Sequence, residues 1–246
     1  MSLPKIDVPI YTTTLVSTGK KIQYRAFTVK EEKLFLMANE VEDLEQSITT
    51  IKQVLTNCVV TPNFDVDSLP LFDIEYLFLR LRAVSVGEVV NLKYKCNNII
   101  PATEEEEEKR CNAVVDIDVN LMDIKPEADA DHDKKIMISE NMGIVMKYPT
   151  MSLLDVDKTQ TDIESVIEIA IKCIDYIYDK DQIYYAKDST KEELLEFVED
   201  LQTKDLEKIK MFFDTMPKMK RSLDFRCRKC GHEEKIHMEG IQSFFV

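Results

Sequence analysis

The sequence predicts an α+β fold, a mainly helical body joined to antiparallel hairpins that bring four cysteines to one place. Three observations carry this expectation. First, Cys227-Arg228-Lys229-Cys230-Gly231 is a C-x-x-C-G turn, in which two thiolates point from one tight loop and glycine supplies the positive dihedral the loop needs. Second, segments that alternate apolar and polar residues lead into and out of that turn, and the same pattern flanks Cys96 and Cys111. Third, most of the remaining chain places apolar residues at helical spacing behind capping signals. One knuckle supplies two ligands, whereas a closed tetrahedral zinc site takes four. Cys96, Cys111, Cys227 and Cys230 are therefore the predicted metal ligands, in a zinc-ribbon-like site that joins early and late parts of the chain. Four sulfurs leave no open coordination position, so the site is expected to be structural. Iron suits such a set as well as zinc does.

Residues 1–28 read as an extended N-terminal arm. Pro4 and Pro9 bar a helix, and Ser17-Thr18-Gly19-Lys20 is a turn between strand-like residues 10–16 and 21–24. Residues 29–88 read as a helical subdomain. Thr28-Val29-Lys30-Glu31 is a capping box that opens one helix. Leu44, Ile48, Ile51 and Leu55 have the spacing of a second. Ser68-Leu69-Pro70 is expected to start a third, with serine as cap and proline in the first turn. Its apolar residues from Phe72 to Leu81 are too dense for one surface stripe, which makes it central to a core. Gly87 should stop it.

Residues 89–125 and 218–246 read as the zinc-ribbon-like β module. Val90, Leu92 and Tyr94 alternate toward Cys96, and Val115, Ile117, Val119 and Leu121 alternate away from Cys111. Between the two cysteines lies an acidic insertion with Glu104 to Glu108 in a row. Such a block repels itself and stays solvated. The long spacing is tolerable because loop-closure cost grows slowly with length. Leu223 and Phe225 alternate into the C-terminal knuckle, Ile236 and Met238 out of it. Phe244-Phe245-Val246 ends the chain as an apolar tip.

Residues 126–217 read as a linker hairpin and a second helical subdomain. The hairpin turns at Asn141-Met142-Gly143 and ends at Pro149. Helices are expected behind Thr161-Asp162-Ile163-Glu164, running through Ile174, and behind Ser189-Thr190-Lys191-Glu192. A turn at residues 178–182 separates them, with Ile183-Tyr184 open to pairing back across it, and a last helix is expected from Lys204 to Met216 before Pro217. His132, in a polar stretch, reads as a plain surface residue. Cys58 and Cys173, in apolar helical surroundings, read as small core residues.

The chain has 246 residues and a net charge of −14. That total argues against a nucleic-acid surface, although Lys218, Lys220, Arg221, Arg226, Arg228 and Lys229 gather near the knuckle. No apolar run reaches the length of a membrane span, and the first residues lack a secretory core. Six cysteines then point to metal and core roles in a reducing compartment. His232-Glu233-Glu234-Lys235-Ile236-His237 fails as a metalloprotease motif, since its histidines are five apart in a strand-like segment. Five glycines offer no phosphate-binding loop, and no nucleophile or paired carboxylate stands out.

Several stretches carry a family resemblance. Met1-Ser2-Leu3-Pro4-Lys5-Ile6, Tyr24-Arg25-Ala26-Phe27, Phe72-Asp73-Ile74-Glu75-Tyr76, Arg82-Ala83-Val84-Ser85-Val86-Gly87-Glu88, Phe212-Phe213-Asp214-Thr215-Met216-Pro217 and Gly240-Ile241-Gln242-Ser243-Phe244-Phe245 resemble the T4-type bacteriophage baseplate hub proteins. The resemblance implies a non-enzymatic hub subunit or hub assembly factor of a contractile tail. Such a protein binds other hub and tail proteins in the host cytoplasm during assembly, and either stays in the virion tail baseplate or leaves after assembly. The alternative from another class is a zinc-ribbon regulator that binds nucleic acid.

Overall fold

A computed structural model describes residues 7–39, 44–101, 108–150 and 162–240. In chain order the elements are β1 (Ile10–Thr14), β2 (Lys21–Arg25), α1 (Val29–Asn39), α2 (Leu44–Cys58), α3 (Leu71–Val86), β3 (Val89–Lys95), β4 (Ile99–Ile100), β5 (Lys109–Arg110), β6 (Val114–Asn120), β7 (Pro126–Glu127), β8 (Lys135–Met137), β9 (Gly143–Met146), α4 (Asp162–Cys173), β10 (Ile174–Tyr178), β11 (Ile183–Tyr185), α5 (Lys191–Glu199), α6 (Thr203–Thr215), β12 (Lys218–Arg226) and β13 (Glu233–Glu239). The body is not mainly helical as the sequence predicts. Helix and strand contribute comparable shares, and the hairpins β1–β2, β3–β6, β4–β5, β8–β9, β10–β11 and β12–β13 are antiparallel, as is the β9–β10 pair. Residues 1–6, Glu104 to Glu107, Thr161 at the head of its predicted capping box, and the tip Phe244-Phe245-Val246 lie outside the described residues.

The chain divides into two units. The first comprises Met1–Val66, Phe72–Pro126 and Lys218–Val246. Within its N-terminal segment, the two expected strand-like runs pair as a hairpin across the expected turn. β1 pairs with β2 in register Thr12↔Gln23, and Leu15, Ile22 and Tyr24 are buried. The turn is held by Asp73 in the first turn of α3, whose carboxylate accepts from the Val16 N–H at 2.9 Å and from the Ser17 N–H and hydroxyl. α3 is buried on nearly every side, including Leu77, Leu79, Arg80 and Leu81, as its dense apolar composition requires. It starts at Leu71, after Pro70. Residues Val66–Ser68 form a separate 3-10 turn instead of the predicted cap. Gly87, at φ 146°, ends it. α1 opens behind Thr28, whose backbone N–H donates to the Glu31 carboxylate at 2.8 Å.

The ribbon half of this unit consists of two hairpins. β3 pairs with β6 (Leu92↔Ile117), and β12 pairs with β13 (Leu223↔Ile236). The alternation seen in the sequence resolves into one packed face and one wet face. Val90, Leu92, Ile117, Leu223 and Ile236 pack against a core of Tyr76, Leu79, Ala83, Val119, Leu121, Ile124, Met219 and Met238. Arg80 fastens α3 to the end of β6. Its guanidinium donates to the Leu121 and Ile124 carbonyls at 3.1 and 2.8 Å and lies 4.7 Å over the Tyr76 ring.

The second unit comprises Asp67–Leu71 and Glu127–Pro217. Its strands form an antiparallel sheet in the order β11-β10-β9-β8. Ile136, Ile144, Met146, Ile174 and Ile177 share one core with Ala170, Ile171 and Cys173 of α4, Leu194 and Val198 of α5, and Ile209 and Phe212 of α6. The predicted hairpin at Asn141-Met142-Gly143 is present as β8–β9. α4 ends one residue before Ile174, and β10 begins there. The capping box of α5 sits one residue later than the sequence reading, on Thr190 and Glu193. His132 is not a plain surface residue. Its ring lies 3.0 Å from both the Thr215 and the Tyr148 hydroxyls and packs on Tyr148 and Phe212.

Candidate metal centre

The structure brings together the four cysteines singled out by the sequence. Their sulfurs all lie within 4.8 Å of one another, with Cys96–Cys230 and Cys111–Cys227 each at 3.7 Å. A disulfide needs about 2.05 Å, and all six cysteines are free thiols. A tetrahedral metal with sulfur at about 2.3 Å places its ligands about 3.8 Å apart. The observed spacing fits that chemistry. Cys96, Cys111 and Cys227 are buried and Cys230 is half-buried. A wall of Tyr94, Ile100, Ala113, Val115, Phe225 and Ile236 surrounds them, and the Tyr94 and Phe225 rings meet edge to face at 4.8 Å.

Each hairpin carries two of the four cysteines in the turn between its strands. In the C-terminal knuckle, the Gly231 N–H donates to the Cys227 carbonyl at 2.9 Å, and the Cys227 N–H donates to the His232 carbonyl at 2.8 Å. Gly231 takes φ 76°, a conformation that glycine adopts without strain. In the other knuckle, the Asn112 N–H donates to the Cys96 carbonyl at 3.1 Å, and the Cys96 N–H donates to the Ala113 carbonyl at 2.8 Å. Asn112 takes φ 52°. The two turns reach across to each other. The Asn98 side-chain amide lies 3.6 Å from the Cys230 sulfur, and the Lys229 ammonium lies 3.2 Å from the Cys111 carbonyl.

The protonation of the set is uneven without a cation. Backbone N–H groups of Cys230 and Lys229 outweigh burial at Cys227 and bring its thiol down to about 6. Burial pushes Cys96 up to about 12, against the Asn98 N–H that favours its thiolate. Cys111 accepts from the Ala113 N–H, yet burial and neighbouring thiols raise it on balance. Four adjacent thiolates repel one another, and a divalent cation reverses that penalty by making each sulfur a ligand.

Asn98 and Asn112 are residues around the centre that the sequence pattern did not single out, and Lys229 stood out only as part of the knuckle and its basic cluster. An asparagine directly after a cysteine was the available signal for Asn112, since asparagine also tolerates the left-handed region. His232 and His237 do not join the cluster. His237 lies 2.9 Å from the Ser222 hydroxyl on the wet face, and His232 lies 3.8 Å from Glu234. Cys58 and Cys173 are each buried elsewhere, pushed by burial to about 11 and about 12. Among the described residues no helix is long and apolar enough to cross a membrane.

A family model described as T4 bacteriophage base plate protein matches residues 8–246. Neither the curated proteins nor the solved structures contain a match to the chain. With nearly its whole length covered, the chain belongs to the T4 bacteriophage base plate protein family.

Proposed function

We propose that this baseplate protein is a non-enzymatic subunit or assembly factor of the hub, built around a structural zinc site on Cys96, Cys111, Cys227 and Cys230. The observation that carries the reading is the closed arrangement of four sulfurs between two hairpins far apart in sequence. Such a site holds surfaces in register and offers no position for a reacting group. Residues 89–125 and 218–246 act as the ribbon module. The partners are other hub and tail proteins, met in the host cytoplasm during assembly; a subunit stays in the finished baseplate, whereas an assembly factor is released from it. The negative net charge of the chain disfavours a phosphate backbone as partner.

The test is to sediment tail and baseplate intermediates from infected cells and quantify this chain by mass spectrometry in each fraction and in mature particles. Co-sedimentation with hub intermediates is expected. A chain found only in the soluble fraction, whose purified form binds DNA with strong salt dependence, would overturn the reading in favour of a nucleic-acid regulator.

A further inference from the structure

The two knuckles share one hydrogen-bond scheme, although residues 228–229 separate one cysteine pair and residues 97–110 the other. Position by position, Cys96 corresponds to Cys227, Asn98 to Lys229, Cys111 to Cys230, Asn112 to Gly231 and Ala113 to His232. The correspondence holds for the bond from the residue after the second cysteine to the first cysteine's carbonyl. It holds for the bond from the first cysteine's N–H to the carbonyl two residues beyond the second. It holds for the positive φ at Asn112 and Gly231. It extends to Asn98 and Lys229, each two residues beyond the first cysteine of its pair. Their side chains each cross to the opposite turn.

We propose that residues 99–110 are an insertion into an otherwise complete metal knuckle, whose ligand loop is Cys96-Asn97-Asn98 followed directly by Cys111-Asn112. This deepens the metal reading above and rests on it. The insertion leaves and re-enters at one point. β4 and β5 pair as Ile99↔Arg110 and Ile100↔Lys109, and the Cys111 N–H donates to the Asn98 carbonyl at 2.8 Å at the base of that hairpin. Facing residues of an antiparallel pair lie about 5.5 Å apart or less, and bonded neighbours lie about 3.8 Å apart. Joining Asn98 to Cys111 thus asks for a movement of under about 2 Å in a turn that already has the right hydrogen bonds. The hairpin supplies no sulfur. Asn112, by contrast, is a positioning residue for the metal, because a β-branched side chain resists the conformation that it holds.

The experiment uses the full chain with residues 99–110 deleted, beside the parent, each stripped of metal under reducing conditions and titrated with cobalt(II). The expected result is one cobalt per chain in both, the same tetrahedral thiolate absorption, and affinities within tenfold. Loss of the absorption, or a weakening beyond a hundredfold in a variant with parental circular dichroism, overturns the proposal. Should the deletion not fold, substitutions at the corresponding positions decide. Asn112→Gly keeps the parental affinity, whereas Asn112→Val and Gly231→Val weaken it by similar factors. An Asn112→Val chain with parental affinity overturns the correspondence. A parent that takes no cobalt sinks the metal reading itself. In that case a deletion melting within a few degrees of the parent still supports an insertion, and a collapse in melting temperature contradicts it.

Discussion

Replacing Arg80 by alanine should unfasten α3 from the ribbon half of its unit. Arg80 is 3% exposed, and both carbonyl acceptors of its guanidinium follow β6, one on either side of the turn at Met122. Hydrogen bonds from a charged donor contribute about 1.5–3 kcal/mol each, and the contact with the Tyr76 ring adds about 1 kcal/mol. Recovering the solvation of a buried cation offsets part of this. A net loss of about 3 kcal/mol is expected. Arg80→Lys should recover less than half of it, because one ammonium cannot span the Leu121 and Ile124 carbonyls as a planar fork does. Urea unfolding followed by far-ultraviolet circular dichroism reads the difference, the chain having no tryptophan to report by fluorescence. A loss below about 1 kcal/mol for Arg80→Ala, or a lysine variant equal to the parent, would refute the reasoning.

Glu31, buried beside Arg25 at 3.0 Å, gives a prediction about acid. Burial alone would raise its carboxyl, but Arg25 and Thr28 outweigh that and hold it at about 2, below the ordinary 4.5. Its folded value is depressed, so the contribution is present above pH 4.5 and is lost as pH falls toward 2. Arg25→Ala should cost about 3 kcal/mol at neutral pH, with the gap from the parent closing across that acid window in pH-dependent melts. His132 is depressed by burial and by Lys134, against Asp133 and Asp129. The Thr215 hydroxyl donates to the Met211 carbonyl, so it accepts from the imidazole Nδ1–H, and Nε2 accepts from Tyr148. Stability tied to this neutral ring is present above pH 6.5 and lost as pH falls through the lower folded value. Melting curves of His132→Phe should lack the slope that the parent shows there. Gly143→Ala should destabilise the second unit by about 1–3 kcal/mol. The added methyl would meet the Ile136 carbonyl at 2.7 Å and the Tyr178 hydroxyl, and a thermal melt equal to the parent's would contradict this.

The ribbon was readable because two periodicities coincide there. Alternation in β3, β6, β12 and β13 marks which side chains face inward, and that face is the one the structure buries. α3 was readable from its density of apolar residues, but its first residue was not. Pro70 tolerates either a first helical turn or the isolated bridge that it makes with Thr150, and tertiary pairing chose the bridge. β10 was missed for a related reason. Ile171 and Ile174 have helical spacing, so the strand looks like one more turn of α4 until its partners β9 and β11 are known. That omission is why the second unit reads as helical from sequence. Polar networks were the least visible part. Nothing local says that Asp73 will hold a turn some 56 residues earlier, or that His132 will find Thr215.

One ion held by the four sulfurs would fasten the two knuckles to each other. Elemental mass spectrometry of the purified full chain, quantified against protein and repeated for Cys227→Ser, tests that most directly. One zinc or iron per parent chain is expected, with the variant losing most of it together with the melting transition of the first unit. A parent without bound metal, or a variant that keeps its metal and its melting temperature, would contradict the account.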